Sequence, residues 1–461
     1  MRVLALVDGE HYPPVTRWGL ETARERGYEV AAAILVGGTE KIDPRRPPDV
    51  GVPLLVAGTA TETLRAAILE HRPEGVLDLS DEPVLGYRER MALVAVALVA
   101  GVPYLGPDFR LDPPIDPPAL GAATIAVIGT GKRTGKTAVA GAVARAADAQ
   151  GLRPIVIAMG RGGPPEPEVA ERDSVSVERL ISLVKQGRHA ASDYLEDALM
   201  AGVTTIGARR AGGGLAGRPF ASNVREAAGL ALARGPGLLV LEGSGAAVPP
   251  VPWDAGVLVV PGSAPPEYLG GYLGPFRLLL SDLVFFTMVE NPDDGFGSLS
   301  ALRSHVRRIR GDDLPIIVTN FRPVPLGDVR GRTVFFTTTA HGPAAARQVE
   351  HLEAEHGCRV VGWSPRLADR AGLTEDIDGA SDFEVLLTEL KAAAIDIACN
   401  RAIQRGAQVM FVDNRAVAVE GDTDVVTALN EAIGLAGRRA EERGVPRPEA
   451  PPGEADEGLE G

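Results

Sequence analysis

The nine residues GTGKRTGKT (129–137) carry the strongest structural signal in this 461-residue chain. They follow an apolar stretch, ATIAVIG, and precede an alanine-rich one, TAVAGAVARAADAQG, so they form the turn between a buried strand and a helix. Backbone N–H groups and a helix N-terminus at such a turn bind phosphates. Gly135 lets the backbone approach a phosphate, Lys136 reaches the β- and γ-phosphates, and the Thr137 hydroxyl ligates Mg²⁺. The stretch therefore predicts a nucleotide-binding P-loop.

The spacing of this P-loop departs from the usual one at its first glycine. Thr130 stands where most P-loops have glycine, and glycines flank it on both sides. The loop resembles the GTxTxxGKT pattern of dethiobiotin synthetase and the related amidoligases, in which a threonine has the same place. The departure therefore indicates a subclass of P-loop and not a disabled site. We assign Gly131, Arg133 and Thr134 to cofactor binding together with the three residues that follow them.

The composition excludes several classes of protein. Hydrophobic residues make up 45% of the chain and charged residues 23%, as in ordinary globular proteins, and the length allows two or three domains. A net charge of −14 argues against a nucleic-acid partner. Cys358 and Cys399 cannot build a disulfide framework, and the N-terminus does not resemble a signal peptide, so we expect a cytoplasmic protein. The longest apolar run, MALVAVALVAG, is too short for a membrane span.

Alternating strand and helix patterns predict an α/β fold with two domains. Short apolar strands and amphipathic helices alternate over residues 1–110 and predict a Rossmann-like domain with a parallel sheet. The proline-rich segment LDPPIDPPAL (111–120) predicts a stiff linker. Longer apolar strands over 121–439 predict a larger P-loop NTPase α/β domain whose sheet is covered on both faces. The acidic, Pro/Gly-rich end predicts a disordered tail over 440–461.

A glutamate supplies the second half of the predicted nucleotide site. Glu242 ends the apolar strand LLVLE and is followed by Gly-Ser-Gly. An acid at the end of a buried strand beside a P-loop is the expected anchor for Mg²⁺, and a solvated strand end is the alternative. The segment resembles EGAGG of the dethiobiotin synthetase-like enzymes, in which the glutamate binds Mg²⁺.

Two segments are candidates for recognition of the nucleotide base. The stretch SDLVFFTMVENP lies where P-loop GTPases carry Asn-Lys-x-Asp, but the four positions 287–290 are TMVE. That difference argues against guanine and favours ATP. Asn320, in VTNFRP, is the second candidate and would contact the adenine edge. For both segments, a plain strand terminus is an equal alternative.

Cations are set among glycines in the core domain. Arg161 lies in MGRGGPPEP, and Arg209 and Arg210 lie in TTIGARRAGGGLAGR, while Lys132 adds a cation inside the P-loop. An acidic protein that gathers cations around a P-loop is expected to bind an acceptor with several negative charges. Arginine is common throughout the chain, so a surface role is the equal alternative for any single one of them.

Polar residues also follow the strands of the N-terminal domain. Asp8, Glu10 and His11 come after the first strand, and Asp78 and Asp81 come at and after the end of the fourth. Ligands of parallel sheets bind beyond the carboxyl ends of the strands. We therefore predict that Asp8, Glu10 and His11 contribute to a substrate site, with a hydrogen-bonded turn as the alternative role for the histidine.

These features together resemble the cyclic 2,3-diphosphoglycerate synthetase family. The resemblance extends over VDGEHYPPV, DLSDEPVLGYRER, GTGKRTGKT, MGRGGP, SDYLEDALMAGVTTIGARRAGGGLAG, LEGSGAAVPPV and VTNFRPVPLG. It implies an ATP-dependent ligase that uses Mg²⁺ to close a phosphoanhydride between the two phosphates of 2,3-diphosphoglycerate, releasing ADP and phosphate. It also implies a homodimer and catalytic roles for Lys136, Lys132, Glu242 and Arg161, with Thr137 and Glu242 at the metal.

Two other functions remain open from the sequence. An amidoligase or a small-molecule kinase with the same P-loop core is the nearer alternative. A nucleotide-switched metal-insertion or partitioning ATPase is the more distant one. Proteins of that class carry a lysine five residues before the loop lysine, or His/Cys-rich tracts, whereas this chain has Gly131 at that position.

Overall fold

The structure is a computed structural model of the chain. The residues that it describes are 1–38, 41, 43, 45–187, 190, 192–290, 297–391, 393–421 and 423–446. The tail predicted to be disordered, 440–461, lies mostly outside these residues, although the last helix continues as far as Glu442. No helix in the described part of the chain combines the length and the apolar character needed to cross a bilayer.

The N-terminal domain is built on one sheet, as predicted. Its strands are β1 (Arg2–Val7), β2 (Glu29–Leu35), β3 (Leu54–Leu55), β4 (Gly75–Asp78), β5 (Tyr104–Leu105) and β6 (Arg110–Leu111), and its helices are α1 (Pro13–Glu25), α2 (Ala60–His71) and α3 (Tyr87–Val99). The strand order is β3-β2-β1-β4-β5-β6. All neighbours are parallel except β5 and β6. The order thus reverses between β1 and β4.

The rest of the chain forms a second, longer sheet with helices on both faces. Its strands are β7 (Thr124–Gly129), β8 (Pro154–Gly160), β9 (Glu168–Ala170), β10 (Thr205–Ala211), β11 (Ala221–Ser222), β12 (Leu238–Glu242), β13 (Ala255–Pro261), β14 (Leu283–Thr287), β15 (Ile316–Pro325), β16 (Thr333–Thr337), β17 (Arg359–Ser364), β18 (Val385–Thr388) and β19 (Gln408–Gly421). The order is β11-β10-β8-β12-β7-β13-β14-β15-β19-β18-β16-β17, with β9 paired to β10. The P-loop strand β7 therefore lies well inside the sheet.

The helices of this region cover the sheet from both sides. They are α4 (Lys136–Ala149), α5 (Val177–Lys185), α6 (Asp193–Ala201), α7 (Val224–Leu232), α8 (Glu267–Gly270), α9 (Gly274–Leu279), α10 (Gly297–Arg310), α11 (Pro343–His356), α12 (Arg370–Asp378), a π-helical turn (Ala394–Cys399), α13 (Asn400–Gln404) and α14 (Val425–Glu442). Every residue of β7 and β12 is buried. Helices α4 and α14 contribute to the apolar core on one face, and α7 and α10 contribute to the core on the other. This two-sided burial explains the near-continuous apolar strands.

The strand β15 continues past Asn320 to Pro325, so Asn320 is not a strand terminus. Its residues beyond Val318 pair with the antiparallel strand β19 on one side, while pairing with β14 stops at that residue. Pro323 and Pro325 therefore lie where only one side of the strand needs hydrogen bonds, which a proline tolerates.

The two domains are packed against each other directly. Leu273 and Phe276, at the start of α9, belong to the same buried apolar cluster as Leu93 and Leu98 of α3. The linker 111–120 is also held to the core, because Arg218 donates a hydrogen bond of 2.6 Å to the carbonyl oxygen of Pro113. The N-terminal domain therefore packs on the P-loop region through an apolar cluster, and the linker is hydrogen-bonded to that region.

Candidate active site

The P-loop has the backbone that its sequence predicts. It joins β7, which ends at Gly129, to α4, which begins at Lys136. Gly135 has a φ of +91°, and a Cβ atom there would lie 2.3 Å from the ring of Phe321. Both the conformation and the space therefore require glycine at this position. The Thr287 hydroxyl, at the end of β14, donates a 2.7 Å hydrogen bond to the carbonyl oxygen of Thr134 and braces the loop.

Lys136 is folded back across the loop. Its side chain is buried, and Nζ donates to the carbonyl oxygen of Gly131 at 2.8 Å and to Thr134 Oγ1 at 3.3 Å. Burial lowers the pKa of Lys136, and the neighbouring charges of Glu242 and Asp193 oppose that shift. Its hydrogen-bond acceptors among the described residues are neutral oxygens, so the ammonium group would gain from a more strongly anionic partner.

Glu242 lies beside the P-loop, as expected for a metal anchor. The Thr137 hydroxyl donates a 2.7 Å hydrogen bond to Glu242 Oε1. The carboxylate is only 4% exposed, so it is not a solvated strand end. Burial, reinforced by the charge of Asp193, raises the pKa of Glu242 to about 7. Since β12 pairs with β7, the sheet itself brings this acid to the loop.

An acidic cluster on α6, which was not among the residues predicted from the sequence, adjoins Glu242. We call Asp193, Glu196 and Asp197 the α6 acids. Asp197 is 1% exposed, and burial together with Glu242 raises its pKa. Burial also raises the pKa of Glu196 to about 7, although Lys391, whose Nζ lies 3.4 Å from its carboxylate, opposes this.

The carboxylates of Asp197 and Glu242 have too few donors around them. Both oxygens of Asp197, and Oε2 of Glu242, have no hydrogen-bond donor among the residues described. Two carboxyl groups can hydrogen-bond to each other only when one of them holds a proton. A shared proton or a bound cation would therefore relieve this pair.

We expect Asp197→Asn to stabilise the metal-free protein at alkaline pH. The raised pKa values mean that the folded state holds protons which the unfolded state releases near the ordinary carboxyl pKa. The part of the free energy of unfolding that comes from these bound protons is complete below the carboxyl pKa of the unfolded state, and it is lost as the pH rises through about 7. The amide removes one charge and donates to Glu242, so the gain at about pH 8 should be on the order of 2 kcal/mol.

Thermal unfolding in EDTA at about pH 5 and about pH 8 measures this difference. Glu226→Gln, which removes an exposed acid from α7, is the control and should show no pH-dependent gain. An equal change in the melting temperature of Asp197→Asn at both pH values would contradict the electrostatic explanation.

Three of the predicted cations gather at a turn beside the P-loop. Arg210 is buried, and its guanidinium donates to the carbonyl oxygens of Gly212 and Ser244, the latter at 2.8 Å. A Cβ atom at Gly245 would lie 3.4 Å from Arg210 Nη2 and 3.5 Å from Lys132 Cγ. Burial lowers the pKa of Arg210, and the positive charge of Arg161 adds to this effect. We call Lys132, Arg161 and Arg210 the cation group.

The charges of the cation group are not neutralised by acids. No ion pair within the described residues joins Lys132, Arg161 or Arg210 to a carboxylate. The Nε atom of Arg210 also lacks an acceptor in that part of the chain. Like charges held together without counter-ions favour the binding of an anion.

Arg209 and Arg210 face in different directions. They are neighbours in β10, so their side chains lie on opposite faces of the strand. Arg209 Nε donates at 2.6 Å to the carbonyl oxygen of Gly163, in the loop after β8. The structure therefore brings Arg210, and not the guanidinium of Arg209, to the turn that follows Glu242.

The two candidates for base recognition lie close to each other, one at the end of β14 and the other within β15. Asn320 is buried, and its Oδ1 accepts a hydrogen bond from the backbone N–H of Phe321, the residue whose ring covers Gly135. Glu290 forms an ion pair of 2.8 Å with Arg322. Partial burial would raise the pKa of Glu290, but the hydrogen bonds and the charge of Arg322 outweigh it and lower that pKa. Asn320 is thus adjacent to the P-loop.

The predicted residues of the N-terminal domain form a separate group. The buried carboxylate of Asp8 accepts hydrogen bonds from His11 Nδ1 at 2.8 Å and from the backbone N–H of Glu10 at 3.1 Å. The hydrogen bond to Asp8 raises the pKa of His11. The side chain of Glu10 is exposed. In the described part of the chain, no hydrogen bond or ion pair connects this group to the P-loop.

Comparison with known families identifies the chain. Three models match it along its length: the N-terminal domain of cyclic 2,3-diphosphoglycerate synthetase over residues 2–112, the P-loop domain over 124–319, and the C-terminal domain over 325–415. The chain belongs to the cyclic 2,3-diphosphoglycerate synthetase family. This membership confirms the resemblance seen in the motifs, and a P-loop domain implies that the family uses a nucleotide.

Individual members of the cyclic 2,3-diphosphoglycerate synthetase family match nearly the whole chain. The synthetase of Rubrobacter xylanophilus is 47% identical over 96% of this chain and 100% of its own length. The synthetase of Methanothermobacter thermautotrophicus is 40% identical over 94% of this chain and 95% of its own length. A crystal structure of a DUF1611 family protein from Anabaena variabilis covers 87% of this chain and 98% of its own, at 13% identity and a TM-score of 0.17. At that score the likeness is too weak for a comparison of folds.

Proposed function

We propose that this chain is an ATP-dependent ligase that converts 2,3-diphosphoglycerate into its cyclic phosphoanhydride, releasing ADP and phosphate. The observation that carries the proposal is the arrangement around β12. The buried carboxylate of Glu242 lies on the P-loop side, and the uncompensated cation group lies at the turn that follows it. The names of the curated relatives support the same activity.

The carboxylates beside the P-loop fit a divalent cation. Glu242 and Asp197 are buried, and three of their oxygens have no hydrogen-bond donor in the described part of the chain, which is the kind of site that Mg²⁺ relieves. Thr137 and Glu242 would hold the ion. When bound, Mg²⁺ would neutralise charge on the β- and γ-phosphates of ATP.

Lys136 and the loop backbone would hold the transferring phosphoryl group. Nζ would exchange its neutral acceptors, Gly131 and Thr134, for the β- and γ-phosphate oxygens, which accept much stronger hydrogen bonds. The backbone N–H groups at the start of α4 would face the same oxygens. Asn320, beside the P-loop through Phe321, is our candidate for the adenine edge.

The cation group would hold the acceptor. Two neighbouring phosphates and a carboxylate repel one another, and Lys132, Arg161 and Arg210 would offset that repulsion. One substrate phosphate would attack the γ-phosphorus of ATP and expel ADP. The second would then attack the phosphorylated one and expel inorganic phosphate, which closes the ring. Because both phosphates are on one carbon skeleton, the second step is intramolecular, which can contribute about 7–11 kcal/mol.

Product analysis tests this function directly. Purified protein, ATP, Mg²⁺ and 2,3-diphosphoglycerate should give ³¹P signals of a coupled phosphoanhydride, together with ADP and free phosphate. AMP and pyrophosphate in stoichiometric amounts would instead indicate adenylation and would refute the mechanism. Turnover of a diamine or a carboxylic acid, with 2,3-diphosphoglycerate unchanged, would favour an amidoligase.

Arg161→Gln is expected to weaken acceptor binding selectively. Its side chain is exposed and makes no hydrogen bond or ion pair with the described residues, so the substitution removes charge without removing structure. Loss of one charge-assisted contact to a phosphate should raise the KM for 2,3-diphosphoglycerate about 10- to 100-fold and leave the KM for ATP nearly unchanged.

Arg153→Gln provides the matched control for this variant. Arg153 precedes β8 at the amino end of the strand, whereas Arg161 follows it at the carboxyl end, and both side chains are exposed. Steady-state kinetics should show normal constants for the control. A rise in the KM for ATP alone would move Arg161 to the nucleotide.

A further inference from the structure

The strand order of the N-terminal domain reverses between β1 and β4. The chain continues from β1 to β2 on one side, while β4 continues to β5 on the other, so the loops that follow β1 and β4 diverge. In open parallel α/β sheets this point is the usual ligand site. Asp8, His11 and Asp81 lie there, and we call them the switch-point cluster. A set of three possible metal-ligating atoms, one from each residue, lies within 4.8 Å of one another.

Asp8 fixes both loops and the histidine ring. One of its oxygens accepts from His11 Nδ1 at 2.8 Å, and the other accepts from the backbone N–H of Asp81 at 3.1 Å. A carboxylate can only accept, so Nδ1 carries the proton, and Nε2 of the neutral ring has a lone pair. A carboxylate on the far ring nitrogen is the usual partner of a metal-binding histidine.

The free ring nitrogen faces a second carboxylate at a suitable distance. His11 Nε2 lies 3.6 Å from Asp81 Oδ2. Two ligands that bind one ion at about 2.0–2.2 Å are separated by about 3–3.5 Å, so little rearrangement is needed. Asp81 is 72% exposed, which leaves room for further ligands. Arg90, which could compete for this acid, is paired with Asp78 and Glu82.

We propose that the switch-point cluster binds a divalent cation through His11 Nε2 and Asp81, with Asp8 as the residue that orients the ring, and that this ion binds an anionic group of the substrate. The second half rests on the proposed function. Carboxylates alone would repel a diphosphate, whereas an ion with open positions binds phosphate or carboxylate oxygens. The ion thus gives the acidic loop of Asp8, Glu10 and His11 a means of contacting a polyanion.

Mn²⁺ is a probe that distinguishes this site from the P-loop. With the full-length protein and no nucleotide, pulsed EPR should detect bound Mn²⁺ coupled to an imidazole ¹⁴N, because the P-loop candidates Thr137 and Glu242 offer only oxygen. His11→Ala should abolish that coupling, and Asp81→Asn should weaken Mn²⁺ binding at least about tenfold. Glu10→Gln, whose side chain is exposed, and Glu242→Gln should both retain it. A wild-type spectrum without ¹⁴N coupling, or coupling that survives in His11→Ala, would overturn the cation site.

Addition of 2,3-diphosphoglycerate to Mn²⁺-loaded Glu242→Gln protein tests the second half of the proposal. We expect a ³¹P coupling that is lost together with the ¹⁴N coupling when His11→Ala is added. Its absence would overturn the link between ion and substrate. The product spectrum of the wild-type enzyme, measured separately, decides whether cyclisation itself occurs, so the two failures can be told apart.

Discussion

Lys136→Ala is expected to reduce ATP-dependent product formation by at least about a thousandfold, because contacts to a transferring phosphoryl group are commonly worth several kcal/mol at the transition state. The fold should survive. Among the residues that the structure describes, the lysine makes two hydrogen bonds, both to neutral oxygens of its own loop. Burial already disfavours its charge, as its lowered pKa indicates, so removal of the ammonium group relieves a cost of desolvation.

Initial rates at saturating ATP and acceptor, together with thermal unfolding, measure both parts of this prediction. Lys185→Ala, at the exposed end of α5, is the matched control and should keep normal turnover. A folded Lys136→Ala protein with turnover within about tenfold of the wild type would refute the P-loop assignment.

The P-loop could be predicted from sequence because its parts are local. Nine consecutive residues contain the glycine, the lysine and the threonine, and the flanking strand and helix patterns are adjacent to them. The contact between Thr137 and Glu242 is different, since it joins residues 105 positions apart. It depends on the pairing of β12 with β7, which no local pattern specifies. The assignment of Glu242 from sequence therefore rested on its place at the end of an apolar strand and on the resemblance to related enzymes.

The α6 acids could not be assigned to the site from the sequence alone. Asp193 and Asp197 are separated by four positions, so a helix places them on the same face, and this spacing was visible in the segment DYLED. The sequence did not reveal what that face would meet. Only the packing of α6 near β12 makes the pair part of a buried carboxylate group with Glu242.

The surroundings of each predicted cation depend on the face of the strand on which its side chain lies. Arg209 and Arg210 were indistinguishable in sequence, yet alternation along β10 gives them different surroundings. In the N-terminal domain, the polar residues after β1 and β4 could be named from sequence, whereas their meeting follows from the strand order. The homodimer implied by the resemblance stays a prediction, as does the extent of the core domain over 121–439.

The acidic half of the site leads to the second large effect, a loss of metal dependence in Glu242→Gln. Glutamine keeps the shape of the side chain, and its carbonyl oxygen can still accept the hydrogen bond from Thr137. Its amide group replaces Oε2, for which the described residues provide no donor, and can donate to Asp197. The metal-free variant should therefore be at least as stable as the wild type at about pH 8, where the two carboxylates repel each other.

Activity should respond in the opposite direction. With one charged ligand removed, we expect the concentration of Mg²⁺ needed for half-maximal rate to rise about 100-fold or more, while the KM for 2,3-diphosphoglycerate changes little.

The raised pKa of Glu242, about 7, adds a second signature. In the wild type, Mg²⁺ competes with a proton for Glu242, so the apparent Mg²⁺ affinity should rise as the pH passes through about 7 and should level off above it. In the variant, this pH dependence should be reduced. Mg²⁺ titrations of the initial rate at several pH values test both effects. An unchanged Mg²⁺ requirement with poor acceptor affinity would place Glu242 in the acceptor site, because only a carboxylate at the metal couples stability, proton binding and Mg²⁺ affinity in this way.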